Sequence, residues 1–343
     1  MRVAELIAPR RMRVTEGPVP TVGPDELLVR IRAVGICGSD LHYYAEGRIG
    51  DQRLAAGHVL GHEVAGIVEA AGPEAEGPGP GTPVAVDPAI HCARCRYCAA
   101  GHPNFCSRLR FFGSPPTPGA LREYVAHPAH LVTPLPPGMS TTEGALLEPL
   151  GVAIHAADLG HIAVGDAVAV FGCGPIGLLI AQVARLAGAS LVCATEPLPH
   201  RAAAAAALGL PPALDARLPD LTRHIMERTD GQGVDVAFEA AGSEAATAQA
   251  IEVLRPGGTL VLVGYWKTEQ VTLAGIRAMR KGLTIRFVRR MKNTFPRAVQ
   301  LVREGRIELA ALVTHEFPLE AVGEAFARAE RRSPDVVKAV VTL

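Results

Sequence analysis

The sequence predicts an α/β protein of two domains, an irregular β barrel and a doubly wound parallel sheet with helices on its faces. Three observations carry this expectation. The chain has 343 residues, beyond the size at which a single hydrophobic core usually stops growing. Its first part strings short β-like runs between Gly- and Pro-rich turns, the texture of a barrel. From Val168 onward, continuous apolar runs alternate with helical stretches, which is how βα units feeding a parallel sheet read.

In chain order, ELLVRIRAVGI, HEVAGIVEAAG and GTPVAVDPAI read as strands, and PEAEGPGPGTP at 73–83 reads as a turn cluster. Near Glu143 the texture changes, and GALLEPLGVAIHAADLG reads as one helix. AVAVFG is a buried strand, and PIGLLIAQVARLAG is a helix ended by Gly188. SLVCATE is the next strand; PHRAAAAAALG is a helix of strong helix formers ended by Gly209. GVDVAFEAAG and GTLVLVGYW follow as strands. In the tail, FPRAVQLVREG and LEAVGEAFARAE are amphipathic helices and VVKAVVTL is a closing strand. This tail is expected to pack back onto the first domain.

Composition narrows the function classes. Hydrophobic residues make up 48% and charged residues 20%, enough for a globular chain with an ample core. The 34 basic and 34 acidic residues cancel, so no overall attraction to nucleic acid or an anionic membrane is expected. The N-terminal MRVAELIAPRRMRV has charges throughout and does not read as a signal peptide. The run LLIAQVARL is broken by Gln182 and Arg185 and is too short to span a bilayer. The cytoplasm is the expected compartment.

Residues 172–177 read GCGPIG, the G-x-G-x-x-G pattern, directly after an apolar strand and opening a helix. Gly172 suits the tight turn, Gly174 the close approach of a pyrophosphate, and Gly177 the packing of helix on strand. The helix N-terminus then offers unpaired N–H groups to phosphates. The second strand ends at Glu196, an acid placed to accept hydrogen bonds from both adenosine ribose hydroxyls and to repel a 2′-phosphate. NAD is therefore expected over NADP. Arg201 nearby is the residue that blurs this preference.

Four of the seven cysteines, Cys92, Cys95, Cys98 and Cys106, fall within one short stretch. Four thiolates at this spacing suit tetrahedral Zn²⁺ and leave no open position, so the site is expected to be structural. An iron–sulfur cluster is the alternative, and nothing else in the sequence points to electron transfer. Cys37 in GICGSDLHYY, His62 and Glu63 in VLGHEVAG, and Glu148 in ALLEPLG are zinc-ligand types. Taken singly each reads equally as a core cysteine, a structural histidine or a helix-opening acid. Spacing alone does not join them.

A resemblance joins them. CGSDLHYYAEGRIGD at 37–51, VLGHEVAG at 59–66, the Cys-rich stretch, EGALLEPLGVAIHA at 143–156, GCGPIG, and NTFP at 293–296 resemble the zinc-containing medium-chain dehydrogenases over nearly the full length. The sorbitol, xylitol and L-idonate dehydrogenase branch is the most similar. This resemblance implies a GroES-like β-barrel catalytic domain at 1–154 and 288–343, with a structural-zinc lobe near 91–108, and a Rossmann domain at 155–287. It implies a homo-oligomer, a tetramer or dimer. Cys37, His62 and Glu63 match the catalytic-zinc ligands, with Glu148 competing for the third position or holding substrate. Ser39 and His42 match the family's proton relay; the alternative reading for them is a capped turn. Tyr43 and Arg290 match substrate contacts, although the residue after Arg290, tyrosine in many polyol dehydrogenases, is Met291 here. Pro175, Ile176, Glu196 and Arg201 match cofactor contacts, and Val263, Gly264, Tyr265, Val288 and Arg289 fall where the family lines the nicotinamide.

The implied activity is oxidation of a secondary alcohol of a polyol, of sorbitol, xylitol or iditol type, to a ketose with hydride transfer to NAD. An L-idonate 5-dehydrogenase or similar sugar-acid enzyme is the alternative. LRFFGS at 109–114 and the intact cysteine lobe resemble that group, and Arg290, Arg110 or Arg122 are the cations a carboxylate would need. L-threonine 3-dehydrogenase is a weaker alternative, because HYYAEGRIGD resembles the polyol loop.

Overall fold

The computed structural model describes residues 1–266 and 270–343. The chain divides into two compact units, one of Met1–Glu148, Phe295–Arg303 and Val313–Leu343, the other of Pro149–Thr294 and Glu304–Leu312.

The first unit is organised around β1 (Glu26–Gly35), in which buried and half-buried residues alternate along Leu27, Val29 and Ile31. That period of two turns one face into the core. Helix α1 (Gly38–Glu46) follows directly, and then β2 (Glu63–Ala71), which pairs antiparallel with β1 and sets Gly35 opposite Glu63. Strands β3 (Pro83–Val86), β4 (Tyr124–Pro128) and β5 (Val132–Pro134) extend this sheet; β4 also pairs with β1.

Where the sequence suggested one helix from Glu143, there are two. A short one at Thr141–Ala145 is capped reciprocally by Ser140 and Glu143, and α2 (Leu147–Gly160) follows after a break at Leu146. The reason is Pro149. It has no N–H to donate back along the chain, so it is tolerated only in a first turn, and a helix must start just before it.

The second unit holds a six-stranded, all-parallel sheet. Its strands are β6 (Ala167–Phe171), β7 (Leu191–Glu196), β8 (Leu214–Asp215), β9 (Val234–Glu239), β10 (Leu254–Leu262) and β11 (Thr284–Phe287). They lie in the order β8-β7-β6-β9-β10-β11. Helix α3 (Pro175–Leu186) follows β6. The strand order reverses between β6 and β9, the switch point outside whose carboxyl ends ligands bind in open α/β sheets. Phe171 and Phe238 are fully buried on these two strands. Truncating either to alanine removes roughly 3–5 kcal/mol of packing.

In the tail, Phe295–Arg303 and Val313–Leu343 belong to the first unit and Glu304–Leu312 to the second. Strand β12 (Val313–Pro318) pairs in parallel with β13 (Lys338–Thr342), and β13 pairs antiparallel with β1, setting Val340 opposite Gly35. The first unit therefore holds the GroES-like sheet, extended by the C-terminal strands, and the second unit holds the Rossmann sheet. No described helix is long and apolar enough to cross a membrane.

Candidate metal centres and dinucleotide site

Both metal centres expected from the sequence are assembled. Donor atoms of Cys92, Cys95, Cys98 and Cys106 all lie within 4.8 Å of one another. The Sγ–Sγ distances are 3.5 Å for Cys95–Cys98, 3.9 Å for Cys95–Cys106 and 3.5 Å for Cys92–Cys106. Four sulfurs at Zn–S bonds of about 2.3 Å in a tetrahedron stand about 3.8 Å apart, so the cluster fits zinc. Backbone N–H groups of Cys92 and Arg108 donate to Cys106 Sγ at 3.4 Å each. Backbone N–H groups of Cys98 and Ser107 pull the Cys95 thiol down to about 5, while burial and the neighbouring thiols push Cys98 up to about 12; an ion bound among them would favour all four thiolates. The lobe's regular structure is limited to short turns at Arg96–Ala99 and Pro103–Phe105, and a bound ion would supply the cross-link a core otherwise provides.

In the first unit, donor atoms of Cys37, His62 and Glu63 also lie within 4.8 Å of one another. Thiolate, imidazole and carboxylate are a three-ligand zinc set that leaves a fourth position open. The backbone explains the convergence. Cys37 is the N-cap of α1, and the Asp40 carboxylate, three residues on, accepts from Cys37 N at 3.0 Å. Gly61 adopts φ +93, and a Cβ there would stand 2.7 Å from Val34, so only glycine makes the turn that presents His62. Across the β1–β2 pair, a Cβ on Gly35 would stand 1.9 Å from Glu63 Oε2. Gly35 is the space that the Glu63 carboxylate occupies.

Two further residues complete the surroundings. Asp40 is 1% exposed; its Oδ1 accepts from Gly61 N at 3.2 Å and stands 3.4 Å from His62 Nδ1. Burial alone would raise its pKa, but His62 and the two backbone N–H groups outweigh burial and hold Asp40 ionised. Burial would likewise lower the pKa of His62, yet Asp40 and Cys37 raise it well above the ordinary value. The anionic field that would hold a proton there is the field that attracts a divalent cation. Lys338 on β13 donates to Ile36 O at 2.9 Å and forms an ion pair with Glu63. Neither Asp40 nor Lys338 stands out in the sequence. The i, i+3 capping relation of Cys37 and Asp40 is a signal that finds the first; nothing local finds the second.

Glu148, near the start of α2, is buried but is not among the three donors gathered within 4.8 Å. Burial pushes its carboxyl up to about 7; Glu63 and Asp87 add to the rise, and His62 and Lys338 oppose it. Ser39 and His42 lie half-buried on the first turns of α1. Tyr43 is buried and its hydroxyl donates to Gln52 Oε1 at 3.2 Å.

The second unit carries the glycine-rich turn. Gly172 adopts φ +106 and its N–H donates to Thr195 O at 2.8 Å. A Cβ on Gly177 would stand 1.8 Å from Gly172 O, the close helix–strand approach that its position in the motif requires. Gly174 caps α3, Pro175 and Ile176 fill its first turn, and a Cβ on Gly174 would meet only Arg201 Nη1, at 3.6 Å. The turn is therefore open where a pyrophosphate would lie. Glu196 ends β7 and ties into the same turn, accepting from Cys173 N at 2.8 Å and Leu198 N at 3.1 Å. A carboxylate has about four lone-pair sites, so capacity remains for ribose hydroxyls.

Farther along, the N–H groups of Val263 and Gly264 donate to Glu239 O at 2.8 and 2.9 Å. Gly264 leaves room for the buried Glu239 carboxylate, 2.7 Å from where its Cβ would be. Tyr265 is exposed. Val288 N donates to Leu262 O at 2.9 Å; Arg289 is exposed, and Arg290 adopts φ +56. Met291 turns inward and is buried, its sulfur 2.7 Å from where a Cβ on Gly151 would stand.

Comparison with known proteins agrees with this geometry. The profile of the alcohol dehydrogenase GroES-like domain matches residues 23–137, and that of zinc-binding dehydrogenases matches residues 175–304. Sorbitol dehydrogenase of Bacillus subtilis is 35% identical over 341 residues, covering 99% of this chain and 97% of that protein. L-idonate 5-dehydrogenase of Vitis vinifera is 35% identical over 334 residues, covering 96% and 91%. The crystal structure of L-idonate 5-dehydrogenase from Escherichia coli superposes with a TM-score of 0.92 at 29% identity, covering 100% of this chain and 98% of that one.

Proposed function

The chain belongs to the zinc-containing medium-chain dehydrogenases, and on that premise we propose that it oxidises a secondary alcohol of a polyol to the ketone with NAD as hydride acceptor. One observation carries the reading: a thiolate, an imidazole and a carboxylate converge within 4.8 Å while Glu148 stands buried nearby.

Bound zinc supplies Lewis acidity that lowers the pKa of an alcohol, and bound nicotinamide supplies the hydride acceptor. The chain does the rest. Cys37, His62 and Glu63 hold the metal, and Asp40 fixes the orientation of the first two. Glu148 holds the substrate hydroxyl. Ser39 and His42 pass the released proton along α1 toward solvent. Gly172, Gly174, Pro175, Ile176 and Gly177 receive the pyrophosphate at the N-terminus of α3. Glu196 takes the adenosine ribose, with Arg201 beside it, and favours NAD. Val263, Gly264, Tyr265, Val288 and Arg289 line the nicotinamide, and Tyr43 and Arg290 hold further substrate hydroxyls. The resemblance extends the reading to a homodimer or homotetramer, which light scattering measures.

A sugar acid such as L-idonate is the second reading. It is favoured by the similarity to the plant and bacterial L-idonate 5-dehydrogenases and by Met291, which stands where many polyol dehydrogenases have a tyrosine and is buried. A panel of C4–C6 polyols, L-idonate and L-threonine with NAD and NADP, followed by nicotinamide absorbance, separates the readings. In the same assay Cys37→Ser should abolish turnover while NAD binding persists; retained kcat in that variant rejects the proposed centre.

A further inference from the structure

Among the described residues, Lys338 is the one buried lysine or arginine, at 3% exposure. A lysine is almost never buried to this degree without a specific partner. Two buried acids feel its charge: Glu63, with which it is in contact, and Glu148, whose carboxyl pKa it lowers. Of these it pairs with Glu63, through Oε2, and its remaining bond is to Ile36 O, the carbonyl immediately before Cys37. The strand register makes this obligatory. β13 pairs with β1 through Val340–Gly35, and Ile36 N donates to Ala339 O at 3.0 Å, so the end of the chain is stitched beside the segment that delivers Cys37.

We propose that Lys338 is a positioning residue of the metal centre, holding Oε2 of Glu63 in the niche left by Gly35 so that Glu63 faces the ion through one fixed oxygen. This rests on the reading of Cys37, His62 and Glu63 as the catalytic-zinc ligands. Two anchors act on one carboxylate: Gly35 makes the room, and Lys338 supplies the charge that keeps a buried anion from turning elsewhere. The Ile36 contact ties the same ammonium to the backbone of a second ligand, Cys37. One side chain from the far end of the sequence thereby fixes the relative placement of two donors. Partners that orient metal ligands in this way typically carry 10–100-fold of metal affinity.

The test uses the zinc-loaded protein. Lys338→Met, Lys338→Gln and Lys338→Arg are compared with the unaltered chain by metal content, by zinc release to a chromogenic chelator, and by the visible spectrum after Co²⁺ replaces zinc. The cysteine lobe serves as internal control. Lys338→Met should release one zinc about 10–100-fold more readily, keep the lobe zinc, and shift the Co²⁺ ligand-field bands. Lys338→Arg, which keeps a cationic donor, should restore both properties. If Lys338→Met does not fold, shown by loss of the lobe zinc as well, Lys338→Gln decides by the same two measurements. Release and spectra matching the unaltered chain in a folded Lys338→Met or Lys338→Gln variant overturn the proposal. An unaltered chain that binds only the lobe zinc overturns the catalytic-zinc reading instead.

Discussion

Replacing Asp40 by asparagine tests the metal centre most directly, because the structure says what each oxygen does. Oδ1 accepts from Gly61 N at 3.2 Å and stands 3.4 Å from His62 Nδ1; Oδ2 accepts from Cys37 N at 3.0 Å. An amide can leave its oxygen in the place of Oδ1. Its NH2 then faces the Cys37 N–H, donor against donor. Losing that bond and burying an unsatisfied N–H costs about 1–3 kcal/mol, a range that includes the lost cap of α1. The loosened Cys37 and the weaker acceptor for His62 should also lower zinc affinity about tenfold, or about 1.4 kcal/mol. Urea unfolding of the zinc-loaded protein should therefore show a loss of about 2–4 kcal/mol. Chelator competition should show one labile zinc and one unchanged. Asp40→Ala, which leaves all three donors without an acceptor, should be worse on both counts. Unfolding within about 0.5 kcal/mol of the unaltered chain, together with equal release of both ions, would show that Asp40 is a passive buried residue.

Other outcomes are equally definite. Cys98→Ser should lose one zinc and lower the thermal midpoint more than it lowers kcat/KM per folded molecule; an unchanged midpoint argues against a structural ion. Gly177→Ala places a methyl 1.8 Å from Gly172 O, so the turn or α3 must move, taking the pyrophosphate seat with it, and nucleotide affinity should fall at least about tenfold. Nucleotide titration should show that loss, and wild-type affinity would remove the motif from the site. Burial pushes the ring of His127 from its ordinary 6.5 down to about 3, while its Nε2 donates to Asp87 O at 2.8 Å. The unfolded chain takes up a proton near pH 6.5 that the folded chain refuses until about pH 3. The contribution of His127 is thus complete above pH 6.5 and is lost as pH falls, with a slope approaching ~1.4 kcal/mol per pH unit. His127→Phe should flatten the stability curve between pH 6 and 4.5; parallel curves in urea titrations refute this. Glu196→Ala should relax the preference for NAD over NADP, and an unchanged KM for NAD counts against its role.

The sequence by itself determined the fold class, because each element announces itself through a local period. β6 is a continuous apolar run that must be covered on both faces, β1 alternates because one face is buried more deeply, and the turn glycines mark positive φ or close contact. It also exposed the cysteine lobe, whose four donors lie close along the chain. Only the tertiary structure decided how the other centre is built. Cys37 and the His62–Glu63 pair meet because β1 and β2 run antiparallel with Gly35 opposite Glu63. Lys338 meets Glu63 because the closing strand pairs with β1. Such neighbours are set by sheet register, which long-range pairing fixes and local sequence does not encode. A lysine in the closing strand and an aspartate in a helix cap look like surface residues until the fold sets the first against Glu63 and the second against Cys37 and His62.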